Sequence, residues 1–103
     1  MEIDAPKPVK IGYTIYTKSK CTYCDKVKEL LQNENEKLVV NCDDFLLNDR
    51  DSFIYFMSSL TDNQWKKTFP VVFYREKYIG GFTETSVFYE NKSIENAFNS
   101  DDF

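Results

Sequence analysis

The sequence predicts an α/β fold with a four-stranded mixed sheet flanked by helices, in the chain order β-α-β-α-β-β-α. Short runs rich in β-branched and aromatic residues fall at 9–17, 37–42, 71–74 and 78–79. Three other segments carry their apolar residues at helical spacing. The connections then set the strand directions. A helix between the first two strands makes them parallel, with a right-handed crossover. A tight turn between the last two makes them antiparallel.

Taken in order, residues 1–8 hold two prolines and little periodicity, and are expected to form a flexible arm before a domain over 9–103. Val9 to Thr17 reads as the first strand. Lys18 to Cys21 is a polar loop, with Ser19 or Cys21 near the N-cap of the helix that follows. In that helix Cys24, Val27 and Leu31 share one face. Asn33 to Glu36 ends it, and Lys37 to Cys42 is the second strand. Residues 48–51 offer capping side chains. Phe53, Phe56, Met57 and Leu60 then follow at i, i+3, i+4 and i+7, a second helix running to about Leu60. A polar loop over 61–68 contains Trp65, read as a half-buried anchor. Pro70 leads into the third strand, Val71 to Tyr74. The turn Arg75-Glu76-Lys77 leads to a short fourth strand, which stops at Gly80-Gly81. The last helix is expected to start at Thr83 or Glu84, with Val87, Ile94 and Phe98 on one face. Phe53, Phe56, Phe73, Tyr74 and Phe98 are core candidates.

Composition narrows the chemistry. A chain of 103 residues fits one domain, and at this size roughly 65% of the unfolded-chain surface is buried on folding. With 42% apolar residues, a core needs no metal or disulfide framework. The net charge of −4 argues against nucleic-acid binding, which calls for a basic face. There is no histidine, so imidazole-activated nucleophiles and histidine zinc sites are excluded. The first residues lack the apolar run of a signal peptide, and no stretch approaches the ~20 apolar residues of a membrane span. Three cysteines are too few for a secreted disulfide scaffold. The expectation is a cytoplasmic, reducing setting, where a close cysteine pair is catalytic or metal-binding rather than structural.

That pair is Cys21 and Cys24, in Cys-Thr-Tyr-Cys between a strand and a helix. At a helix N-terminus the unpaired amides face the first sulfur, and the macrodipole adds roughly half a positive charge. Both favour thiolate, the nucleophilic form. Lys18, Lys20, Lys26 and Lys28 add positive field, and Asp25 opposes it in part. Cys21, at the open end, is assigned as the attacking thiol. Cys24, one turn in beside Val27, is assigned as the resolving thiol. A disulfide across this i, i+3 spacing is feasible. A zinc site would need four ligands, and only Cys42 and carboxylates remain. Cys42 itself reads as a small buried residue.

Four segments give the chain a resemblance to the glutaredoxins over roughly residues 9 to 98. They are Tyr-Thr-Lys-Ser-Lys-Cys-Thr-Tyr-Cys (16–24), Lys-Thr-Phe-Pro-Val-Val-Phe (67–73), Tyr-Ile-Gly-Gly (78–81) and Phe-Thr-Glu (82–84). The resemblance implies a thioredoxin fold and a dithiol enzyme of the glutathione-disulfide oxidoreductase type. Such an enzyme reduces protein disulfides and glutathione mixed disulfides, with glutathione as co-substrate, and is a monomer. It also implies a cis bond before Pro70 and a glutathione site on the chain. In that site Thr68, Phe69 and Pro70 align the cysteinyl part as an added strand. Lys18 attracts the glycine carboxylate, with a second residue for it among Gln64, Lys66 and Lys67. Tyr23 flanks the tripeptide. Gly81, Thr83 and Glu84 hold the γ-glutamyl end, the helix start taking its carboxylate and Glu84 its ammonium group.

The chain departs from that pattern in three places. Thr22 stands where dithiol glutaredoxins commonly have proline. Members with serine there bridge a [2Fe–2S] cluster between two subunits with two glutathiones, so a cluster carrier is the alternative reading. Glu84 replaces the usual aspartate and reaches one methylene further. Trp65 has no counterpart in the pattern.

Overall fold

The computed structural model describes residues 3–98, with side chains described through Lys92. Eight elements follow one another: β1 (Tyr13–Thr17), α1 (Thr22–Leu30), β2 (Lys37–Asn41), α2 (Asp43–Asn48), α3 (Arg50–Leu60), β3 (Val71–Tyr74), β4 (Lys77–Gly80) and α4 (Phe82–Phe98). The sheet order is β2-β1-β3-β4. β1 pairs parallel with β2 and antiparallel with β3, and β3 pairs antiparallel with β4. This is the expected mixed sheet with one more helix.

The first strand begins four residues later than expected. Gly12 sits at φ +81, and a Cβ there would run into the Glu36 carbonyl. Only glycine lets the chain turn so close to the end of α1's return loop. The amide of Tyr13 then donates to that same carbonyl (2.9 Å) and starts the β1–β2 ladder.

β1 is buried along its whole length, so its alternate side chains feed two cores. Tyr13 and Ile15 join Val27, Leu31 and Val72 on the face covered by α1 and α4. Tyr16 joins Val40, Cys42, Phe53, Met57, Trp65, Val71 and Phe73 on the face covered by α2 and α3. Each such fully buried apolar side chain contributes about 1.5–3 kcal/mol relative to exposure. The segment read as an arm lies against this second core over residues 3–8. Ala5 is buried, Ile3 packs on the cluster, and the Tyr16 hydroxyl donates to the Pro6 carbonyl at 2.5 Å.

Helix α2 is absent from the sequence reading. It has six residues, and the capping bond at its start is supplied from outside it. Asn41 Oδ1 accepts from the Asp43 amide (2.9 Å). Phe45 stacks on Phe53 at 6.0 Å, which anchors the short helix to the core. Asp49 stands between α2 and α3 and makes no side-chain capping bond, unlike the expectation for 48–51. Helix α4 starts at Phe82, one residue early. Its packed face carries Phe82, Thr85, Phe88 and Tyr89, whereas Val87 is 53% exposed. The expectation for Val87 therefore fails, because packing selected the wider aromatic stripe. The side chains of Ile94 and Phe98 lie outside the described residues. The turn after β3 uses Arg75 and Glu76 at φ +50 and +71, the left-handed pair a two-residue hairpin requires.

Candidate active site

Parallel pairing brings the C-terminal ends of β1 and β2 to one edge, and the loops leaving them meet there. Cys21 is the N-cap of α1, with extended backbone (φ −128, ψ 104). Its sulfur accepts from the Cys24 amide at 3.2 Å. One unpaired amide of the helix start thus points at the sulfur, which remains partly exposed. Cys24 is fully buried. The two sulfurs stand within disulfide distance, with Cα atoms 5.2 Å apart. That separation lies inside the range a disulfide bridges without backbone movement.

The loop before Cys21 is pinned from α2. The Ser19 amide donates to Asp43 Oδ1 (2.9 Å) and the Ser19 hydroxyl donates to Asp43 Oδ2. These two bonds hold the Asp43 carboxyl below its ordinary range, and the Lys18 charge adds to the effect. Lys20 follows in the left-handed region at φ +55. The sequence reading missed Asp43, because its partner lies 24 residues away and only the tertiary fold joins them.

Facing the dithiol is the Thr68–Phe69–Pro70 segment, with a cis Phe69–Pro70 bond. The Phe69 carbonyl is 3.7 Å from Cys21 Sγ, where the protonated thiol can donate to it. The segment is held from behind by Trp65, whose indole N–H donates to the Thr68 carbonyl at 2.9 Å. Trp65 is only 8% exposed, deeper than the half-buried anchor expected. Its ring meets Phe53 and Phe69 edge-on, at 5.9 and 6.0 Å, and Phe53 stacks on Phe69 at 6.1 Å.

Two clefts flank this segment. One, of about 330 Å³, is lined by Lys18, Lys67 and Arg50 together with Thr68 and Phe69. The other, of about 610 Å³, holds Gln64, Lys66, Gly80, Gly81 and Glu84. Of the three residues left open for the second cation position, Lys67 alone shares a cleft with Lys18. At the far cleft Glu84 Oε1 accepts from the Gly81 amide (2.9 Å), reaching back across the helix start as in a capping box. Gly80, at φ +138, makes room for it, since a Cβ there would stand 2.8 Å from the Glu84 side chain. Thr83 is exposed beside it. Tyr23 is 55% exposed and stacks on Phe82 at 6.0 Å, with Lys26 Nζ 5.2 Å above its ring. Lys28 lies 3.9 Å from Asp25 on the exposed side of α1.

Cys42 is sealed in the core, and burial pushes its thiol up to about 12. Among the described residues no three acidic, cysteine or histidine side chains gather around a metal position. Cys21 is the one cysteine of the chain that is not fully buried.

A helix N-terminus presenting one cysteine of a Cys-x-x-Cys pair, opposite a cis-proline segment, on a β2-β1-β3-β4 sheet, defines a dithiol protein of the thioredoxin fold. The glutaredoxin family model matches residues 13–79, and the chain belongs to that family. Solved structures agree. The holo form of glutaredoxin C1 from Populus tremula x tremuloides is 26% identical, covering 84% of this chain and 81% of its own, with a TM-score of 0.64. Oxidized glutaredoxin 2 from Chlamydomonas reinhardtii is 25% identical, covering 82% and 77%, with a TM-score of 0.63. A buckwheat glutaredoxin–glutathione complex is 24% identical, covering 79% and 70%, also with a TM-score of 0.63. A search of the curated proteins finds no match. Family membership makes the chain a thiol–disulfide oxidoreductase.

Proposed function

We propose that the protein is a glutathione-disulfide oxidoreductase that acts on glutathione mixed disulfides and on protein disulfides. The observation that carries this is a pair of clefts on either side of the Thr68–Phe69 segment that faces Cys21. Cations line one, and a carboxylate beside a helix start lies in the other. An extended γ-glutamyl tripeptide offers a carboxylate at one end and both an ammonium group and a carboxylate at the other. Its glycine carboxylate would meet Lys18 and Lys67. Its cysteinyl part would pair with the backbone of Phe69, between Thr68 and Pro70, as an added strand. Its γ-glutamyl end would lie against Gly81 and meet the Thr83 amide at the helix start and the second oxygen of Glu84, whose first oxygen is held by the Gly81 amide. Tyr23 would border the bound peptide.

In the glutathione reaction, the Cys21 thiolate attacks the glutathione sulfur of the mixed disulfide. A bond forms between the two sulfurs, the old S–S bond breaks, and the departing thiolate takes a proton from water. A second glutathione thiolate then attacks the glutathione sulfur on Cys21. Oxidised glutathione leaves and the Cys21 thiolate is restored. Overall, the mixed disulfide and one free glutathione become the released thiol and oxidised glutathione. With a protein disulfide, Cys21 attacks first and Cys24 displaces the product, closing the Cys21–Cys24 bond. Family potentials of about −200 to −230 mV let a glutathione pool drive either cycle.

The test is a coupled assay with glutathione, a glutathione reductase and a small glutathione mixed disulfide. Turnover that saturates with the mixed disulfide supports the reading. Turnover supported only by a flavoprotein-reduced dithiol, and not by glutathione, overturns it.

A further inference from the structure

The cationic cleft, of about 330 Å³, carries more charge than a single glycine carboxylate requires. Arg50, at the start of α3, lines it together with Leu46 and Ile54. Those two aliphatic side chains pack against the core, so this wall is fixed. Neither Arg50 nor Lys18 nor Lys67 has an ion pair among the described residues, and the ion pair seen there is Lys28 with Asp25. Asp49 and Asp51 flank Arg50 in sequence, yet neither lines the cleft. Three cations without an ion pair among the described residues thus line one concave site on a chain whose net charge is −4, Lys18 also acting on Asp43. Such a site focuses a positive field and gathers anions from solution.

We propose that this cleft docks an acidic segment of a protein substrate, next to the disulfide that Cys21 attacks. Arg50 presents its planar fork to an aspartate or glutamate of that segment, a geometry lysine does not reproduce. Leu46 and Ile54 receive the aliphatic part of a neighbouring residue. The proposal rests on the thiol–disulfide reading of the site and names the substrate class it selects.

The test uses the full chain, reduced beforehand by a dithiol reagent that is then removed, in single-turnover reduction of disulfide peptides. Three peptides differ only after the attacked cysteine, which is followed by Glu-Glu, Gln-Gln or Lys-Lys. At low salt the acidic peptide should be reduced about tenfold faster than the neutral one, as one charge-assisted hydrogen-bonded pair implies. The basic peptide should be slowest. The spread should shrink as salt shortens the Debye length. Arg50→Gln should bring the acidic-to-neutral ratio close to one, and Arg50→Lys should restore part of it. Equal rates for the acidic and neutral peptides in the unaltered protein overturn the proposal. So does an acidic preference that survives in Arg50→Gln. Failure to reduce any peptide overturns both this proposal and the disulfide-reductase reading. Glutathione takes no part in the assay, so loss of glutathione dependence leaves its result standing.

Discussion

Two cysteines of this chain occupy the same formal position, the N-cap of a helix that follows a strand, and their environments push them in opposite directions. Cys21 caps α1 with extended backbone, and its sulfur accepts from the Cys24 amide. Cys42 caps α2 at φ −102, ψ 7, and its side chain makes no capping bond. Its sulfur instead lies 3.7 Å from the Val40 carbonyl, inside the aromatic core. Burial dominates there and favours the neutral thiol, while the Asp43 charge adds to the effect and a bond from the Thr17 backbone opposes it only in part. A helix start favours thiolate only when the sulfur turns toward the amides and keeps contact with water.

The comparison breaks most completely at Cys21 itself. Cys21→Ser should reduce turnover of glutathione mixed disulfides to background, and Cys24→Ser should keep much of it while losing the dithiol reaction with protein disulfides. A coupled reductase assay on both variants decides this. Loss of both activities in Cys24→Ser with neither lost in Cys21→Ser would reverse the assigned roles.

Alkylation of the reduced, folded protein at pH 7 sharpens the contrast. With its thiol near 12, Cys42 should react about 10³-fold more slowly than an ordinary free cysteine from ionisation alone. Cys21 should react at least as fast as a free cysteine. Peptide mapping by mass spectrometry reads both rates. Phe53→Ala attacks the wall around Cys42. It removes a fully buried ring that touches Phe45, Phe56, Trp65 and Phe69, and should cost about 3–5 kcal/mol in a urea titration. Labelling of Cys42 should rise with it, because opening exposes the sulfur.

Smaller effects appear in pH. Cys42 is raised from about 9 to about 12, so the stability its neutral form confers is complete below pH 9 and is lost as pH rises towards 12. Buried Tyr13 and Tyr16 are raised as well and act in the same direction. The Cys42 share is therefore the difference between thermal midpoints of the unaltered protein and Cys42→Ala across that range. Asp43 has the opposite sign. Its carboxyl is lowered by Ser19, so the contact holds above the ordinary carboxylate range near pH 4 and is lost as pH falls below it. Asp43→Asn should leave a small residual stability change on acidification, and hydrogen exchange at the Ser19 amide should quicken.

Much of the site was legible in local sequence. The Cys21-x-x-Cys24 spacing after a β-rich run, Pro70 ahead of the third strand and the glycines after the fourth are short-range signals, and local backbone chemistry is what they report. Other parts were not legible, for a common reason. α2 has six residues and borrows its cap from Asn41 and its anchor from Phe53. Trp65 reads as a loop anchor from the sequence, but what it anchors, the Thr68 carbonyl, is set by the fold. Val87 fitted a helical stripe, but α4 packs through Phe82, Thr85 and Phe88 instead.

By itself, then, the chain's order of residues determined the strand and helix alternation, the parallel and antiparallel pairings, and the two sulfurs at a helix start. These follow from periodicity and connection length, which act over a few residues. The tertiary structure alone decided that Lys67 rather than Lys66 stands with Lys18, that Asp43 grips Ser19, and that Arg50 joins the cationic cleft. Each of these joins residues far apart in the chain, and only packing of two cores on one central strand brings them within reach.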